Sequence, residues 1–181
     1  MAWTLVPVIA KTRATTRTTS CTSNLQQLAQ AVLMYTQDHG DTFPGGAGMG
    51  PNGAWGPAWW AVLQPYVHNT RILVCPSHPN PPGAYDTNWL ISYGCNPNFL
   101  GWQMGANMMQ VTNPSATIML GEKNIGDWLV VPSDTDPASE WYPYRVDQRH
   151  DGGANFAFLD GRVKWMKQGD DVKPFNLWIN H

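Results

Sequence analysis

The stretch Arg149-His150-Asp151-Gly152-Gly153-Ala154-Asn155-Phe156-Ala157-Phe158-Leu159-Asp160-Gly161-Arg162-Val163-Lys164-Trp165 decides the fold. A glycine-rich polar segment leads into two runs, 155–159 and 162–167, in which apolar and polar side chains alternate. Period-two alternation marks strands that bury one face. The runs meet at Asp160-Gly161, a pair that tolerates the positive φ angles of a type I′ turn, so the stretch predicts a β-hairpin. Phe156, Phe158, Val163 and Trp165 are expected to divide between the two sheet faces. Gly152 and Gly153 are expected to let the chain pass close to another backbone.

Residues 22–38 place Leu25, Leu28, Val32 and Tyr35 at helical spacing, with Ala29, Ala31 and Leu33 beside them. This predicts an amphipathic helix, with Gly40 and Pro44 fitting its end. Residues 11–24 hold six threonines, whose branched side chains crowd the preceding turn. A helical stem there needs support from neighbouring subunits. Residues 45–56 read as a glycine-rich loop, and 58–67 as a short helix with Trp59, Val62, Leu63 and Tyr66 on one side. Residues 71–75 read as a brief strand, 76–83 with four prolines as an irregular loop, and 132–148 as another loop. Short strands are expected within 89–94, 117–120 and 128–131.

A helix, then loops, then strands argue for an α+β fold in which a long N-terminal stem helix packs on a small antiparallel β-sheet. The length of 181 residues suits one domain, divided into the stem at 1–39 and a globular α+β head at 40–181.

Charged residues are 13% of the chain and the formal net charge is −2, so no basic field invites nucleic acid. Ten tryptophans must go to a core, to subunit interfaces or against a ligand. Residues 1–10 are strongly apolar, yet no run approaches the roughly 20 apolar residues of a membrane span. Cys21, Cys75 and Cys95 show no C-x-x-C spacing. One disulfide with one thiol left over and three reduced, buried thiols both remain open.

An enzyme reading starts from His150, Asp151, Asp160 and Asp147, but no H-E-x-x-H, G-x-S-x-G, phosphate loop or dinucleotide fingerprint accompanies them. Asp160 is explained by the turn, and His150 is expected to hydrogen-bond a loop backbone. Neither catalysis nor a cofactor is expected. Asp147, Asp151 and Asn155 offer hard oxygen donors for calcium without the EF-hand spacing; the alternative is that they cap turns. Trp55, Trp59 and Trp60 are the first residues to test for a carbohydrate platform.

The wording RH-x-GGANF-x-F-x-DG-x-VKW resembles the C-terminal signature of bacterial prepilin-like proteins, which carry a histidine, a spacer and an Asp-Gly near the end. Three further blocks follow that family's order. The first runs from Pro7 through Cys21-Thr22-Ser23-Asn24-Leu25-Gln26-Gln27-Leu28 to Phe43-Pro44. The second spans Trp60, Leu63-Gln64-Pro65-Tyr66-Val67, Ile72-Leu73-Val74-Cys75-Pro76-Ser77, Ser92-Tyr93-Gly94 and Asn96, and the third is Val111, Pro114-Ser115 and Thr117-Ile118.

The resemblance implies a structural subunit of the type IV pilin or type II secretion pseudopilin kind, which self-assembles through its N-terminal helix into an extracellular filament or tube. Trp3, Leu5, Val6, Val8 and Ile9 would then pack against the same segment of neighbouring copies. It also implies a longer apolar segment ahead of Pro7 with a leader removed by a prepilin peptidase, contact with the membrane only before assembly, and a Cys21–Cys75 disulfide with Cys95 left as a thiol. Calcium held by C-terminal loop oxygens, as in related pseudopilins, is the cofactor to test. The alternatives are an exported module binding surface polysaccharide or cell wall, and a metal-dependent enzyme.

Overall fold

One helix, α1 (Leu5–Asp38), runs the length of the stem and lies against a four-stranded antiparallel sheet in the order β1 (Tyr93–Cys95), β2 (Ile118–Glu122), β3 (Gly153–Phe158), β4 (Val163–Lys167). A computed structural model describes residues 5–46, 57–83, 90–100, 105–124, 129–133, 135–139, 145–172 and 177–179. The architecture is α+β, with a long N-terminal helix on a small antiparallel sheet, as in pilin-like folds.

Through the threonine-rich segment of α1 the hydroxyls bond within the helix. Thr15, Thr16, Thr18 and Thr19 each donate to the carbonyl four residues earlier, at 2.9 to 3.1 Å. Such back-bonding weakens a helix slightly, so the threonines do not by themselves hold this segment helical. The two halves of α1 differ sharply in burial. Residues 11–17 are exposed, whereas Cys21, Leu25, Leu28, Ala29 and Val32 are buried along one face. Covering a leucine or valine completely contributes about 1.5 to 3 kcal/mol, so this face fixes the helix on the sheet. The helix ends at Gly40, whose φ of 62° allows the Asp41 N–H to donate back to Thr36 O at 3.0 Å.

The sheet has two different faces. Ala157 and Leu159 share a core with Leu25, Leu28 and Val32 of α1, and Val163 packs against it. Phe156 and Phe158 point the other way, into a cluster with Ile118, Met166 and Trp178, where the Phe156 and Trp178 rings meet edge to face at 6.1 Å.

Several local expectations change. The β3–β4 turn is not type I′: of its residues only Gly161 has positive φ, at 86°, and its N–H donates to Phe158 O at 2.9 Å. This is the three-residue loop, a turn followed by one left-handed glycine that opens a bulge. The Asp-Gly pair with both φ angles positive is Asp151-Gly152, at 56° and 76°, flanked by reciprocal His150–Gly153 main-chain bonds of 3.0 and 3.1 Å. Residues expected as a strand at 71–75 instead carry a 3-10 turn, Thr70–Leu73, begun where the Asn69 side chain accepts the Arg71 N–H at 3.1 Å. The helix expected at 58–67 is reduced to α2 (Trp59–Val62) followed by turns. Residues 129–131 make isolated bridges, Leu129 to Cys95 and Val131 to Arg145, rather than a strand.

Candidate functional site at the helix–sheet junction

Chemically capable side chains converge where α1 crosses the sheet. Cys21 lies on the buried face of α1, and Cys75 follows the 3-10 turn. The Asn24 side chain donates to Val74 O at 2.9 Å, which holds that segment against the helix. The two cysteines form a fully buried disulfide across a sequence separation of 54. Closing a loop of that size restricts the unfolded chain and stabilises the fold by about 4 kcal/mol in the chain-entropy model. Cys95, in β1, is buried outside the disulfide.

His150 is positioned by the tight Asp151-Gly152 turn, with its carbonyl accepting the Trp165 indole N–H at 2.8 Å. Gly153 cannot carry a side chain here: a Cβ would collide with the Met166 carbonyl and the Trp165 ring. The main chain of His150 makes the loop bonds expected of the residue. Its imidazole does something else and points into the junction, with Nε2 2.7 Å from Glu122 Oε1 and 3.4 Å from Cys75 Sγ, and Nδ1 3.1 Å from Thr18 Oγ1.

Glu122 closes β2, opposite Tyr93 of β1, and is fully buried. A buried carboxylate needs donors to remain in place. Oε2 accepts the Asn155 main-chain N–H at 2.9 Å, and Oε1 accepts the Asn155 side-chain amide at 3.4 Å. Thr22 Oγ1 of α1 lies 3.1 Å from Asn155 Oδ1. Helix, sheet and turn are thus tied by one polar network around the disulfide. Among the described residues, Cys21, Cys75, Glu122 and His150 bring their ligand atoms within 4.8 Å of one another.

Two cations with buried side chains adjoin Glu122 and His150 in sequence. Lys123 is fully buried with Nζ 5.8 Å from the Trp60 ring centre, and Arg149 donates to the Lys123 carbonyl and, at 2.7 Å, to Asp147. Nearby, His78 Nδ1 lies 3.0 Å from Ser92 Oγ. Burial, reinforced by the Arg149 charge, lowers the His78 pKa from the usual 6.5 to about 4. Burial also pushes the Tyr93 phenol up, with the Glu122 charge adding to it.

Residues 10–73 match the model of a family described as a protein of unknown function, DUF1559. The matched segment runs from the α1 arm to the 3-10 turn before Cys75 and contains the stem block of the resemblance from residue 10 onward. The C-terminal histidine and Asp-Gly lie outside it. No curated protein and no solved structure matches the chain. No described helix is long and apolar enough to cross a membrane.

The remaining sequence-derived residues fall in different places. Of the calcium set, Asp147 is paired with Arg149, Asp151 is exposed in its turn, and the Asn155 amide is engaged by Glu122. Asp160 is exposed and caps its turn by accepting the Arg162 N–H at 3.1 Å. Trp59 and Trp60 are core residues stacked edge to face at 5.6 Å, not an exposed platform, and Trp55 lies outside the described residues. Trp3 also lies outside them; Leu5, Val6 and Val8 belong to α1, and Ile9 is 49% exposed. Sequence reasoning misses Glu122 and Thr18 altogether. No motif spacing marks either, and only the β2–β3 pairing brings the carboxylate to the histidine.

Proposed function

We propose that this chain is a pilin-like structural subunit, exported to the cell surface, that assembles through α1 into a filament or tube. The observation that carries this reading is the division of α1 into a core half, 21–36, and a bare helical arm, 11–17. A short threonine-rich helix is marginal by itself in water. Copies of the same arm supply the missing cover, and repetition of one non-closing contact generates a helical polymer. Ile9, exposed near the end of the arm, supports the same direction of packing. The Cys21–Cys75 bond suits a subunit under load, because it joins α1 covalently to the head.

No turnover belongs to this reading. The resemblance of the stem to prepilin-like proteins supports export and surface display, and the burial of Trp59 and Trp60 leaves the polysaccharide alternative without those two rings. Deletion of residues 1–17 tests the assignment by light scattering. The truncated chain should remain monomeric with a cooperative melt, while the full chain forms large particles. Polymers of equal length from both would contradict it.

A further inference from the structure

Where His150 meets Glu122, its imidazole is held from both sides: Nδ1 lies 3.1 Å from Thr18 Oγ1 and Nε2 lies 2.7 Å from Glu122 Oε1. A neutral imidazole satisfies both contacts when Nε2–H donates to the carboxylate and Nδ1 accepts the Thr18 hydroxyl. On the same side of Nε2 lie the two sulfurs, with Cys75 Sγ at 3.4 Å.

The four donors have the composition of a closed zinc site: two sulfurs, one imidazole nitrogen and one carboxylate oxygen. Ligand atoms around a tetrahedral zinc are separated by roughly 3.3 to 3.8 Å, given bonds of about 2.0 to 2.3 Å. The present cluster, contained within 4.8 Å, needs only small side-chain shifts once the sulfurs part. An outer shell is already built. Thr18 orients the imidazole through Nδ1, and the Asn155 N–H holds the second carboxylate oxygen at 2.9 Å. A groove of about 830 Å³ between the α1 arm and the hairpin, lined by Thr18, Ser77, Arg149 and His150, leads to the cluster.

We propose that, when the Cys21–Cys75 bond is reduced, Cys21, Cys75, His150 and Glu122 form a four-ligand site for a borderline-soft divalent cation of the zinc class. Disulfide and metal are mutually exclusive occupants of one position. A phosphine reductant takes the two-electron step: with one water it becomes the phosphine oxide, and both sulfurs become thiols. Metal binding then displaces the two thiol protons, and a neutral His150 presents Nε2 to the metal with its proton on Nδ1, toward Thr18 Oγ1. Sulfur donors disfavour calcium and magnesium at this position.

Cobalt(II) titration of the full chain carrying Cys95→Ser, reduced with a phosphine and handled without oxygen, tests the site. The expected result is one cobalt per chain, with the intense visible bands of tetrahedral cobalt and sulfur-to-cobalt charge transfer, both abolished by one equivalent of zinc. The oxidised chain should show neither. His150→Gln and Glu122→Gln should each weaken binding at least tenfold, and Thr18→Val, which alters only the outer shell, by about 10- to 100-fold. If reduction unfolds the chain, zinc should refold it, because ligand binding and folding are then one equilibrium. Several results would overturn the proposal: a folded, reduced chain without the tetrahedral spectrum, an unfolded one that zinc does not rescue, or equal uptake by a Cys21→Ser/Cys75→Ser chain. Unchanged affinity in the Glu122 and His150 variants would do the same.

Discussion

Glu122 Oε1 and His150 Nε2 stand 2.7 Å apart, both side chains buried, at the point where β2, the turn leading into β3, and α1 meet. The pair joins three elements far apart in sequence, and a disulfide lies against it. Its position in the fold accounts for a histidine just ahead of the glycine pair.

Removing one partner of this pair should cost more than removing both. Glu122→Ala leaves the imidazole and the Asn155 N–H without their acceptor in a dry site, and should lower stability by about 3 to 5 kcal/mol. The double variant Glu122→Ala/His150→Ala should lose less than the sum of the single losses. Urea unfolding of the oxidised chain measures all three.

The hairpin glycines should rank by what a side chain meets. Gly152→Ala has open space but a φ of 76°, so it should cost about 1 to 2 kcal/mol. Gly161→Val adds to a φ of 86° a contact with Leu33 Cδ1, which a Cβ would meet at 2.9 Å, and should cost more than about 2 kcal/mol. Gly153→Ala collides with backbone and should be the most damaging of the three. Thermal melts of the three variants provide the order.

How much of this was legible in the sequence depends on how local each signal is. Alternation at 155–167 revealed the hairpin, and the Leu25, Leu28, Val32 spacing revealed the core half of α1, because each pattern reports one face of one element. Turn type was misassigned between two Asp-Gly pairs. The sequence shows both, but only main-chain closure between His150 and Gly153 selects the first for the doubly left-handed turn. Apolar residues 71–75 were read as a strand, since short apolar runs carry no reliable period; the Asn69 cap decided otherwise. The Cys21–Cys75 pairing came from family resemblance, and Glu122 was invisible because its role arises from sheet order alone.

Acid should weaken the fold through His78. Its folded pKa of about 4 lies below the usual 6.5, so between these values the unfolded chain takes up a proton that the folded chain refuses. Stability should therefore fall as pH drops through this window, and His78→Gln should flatten the dependence. Chemical denaturation at several pH values from 7 to about 4 gives the slope.

Replacing both bridging cysteines, Cys21→Ser/Cys75→Ser, should cost about 4 kcal/mol under oxidising, metal-free conditions. Non-reducing peptide mapping of the parent chain should recover the Cys21–Cys75 linkage. Recovery of a Cys75–Cys95 peptide would contradict the junction as described.

Assembly through the bare arm of α1 is the central claim, and electron microscopy of the purified full chain tests it most directly. The account predicts filaments or tubes of uniform width with a helical repeat, in which the arm, 11–17, is buried between copies. Fields of separate particles of single-subunit size, at concentrations where the protein is folded and its disulfide intact, would contradict it.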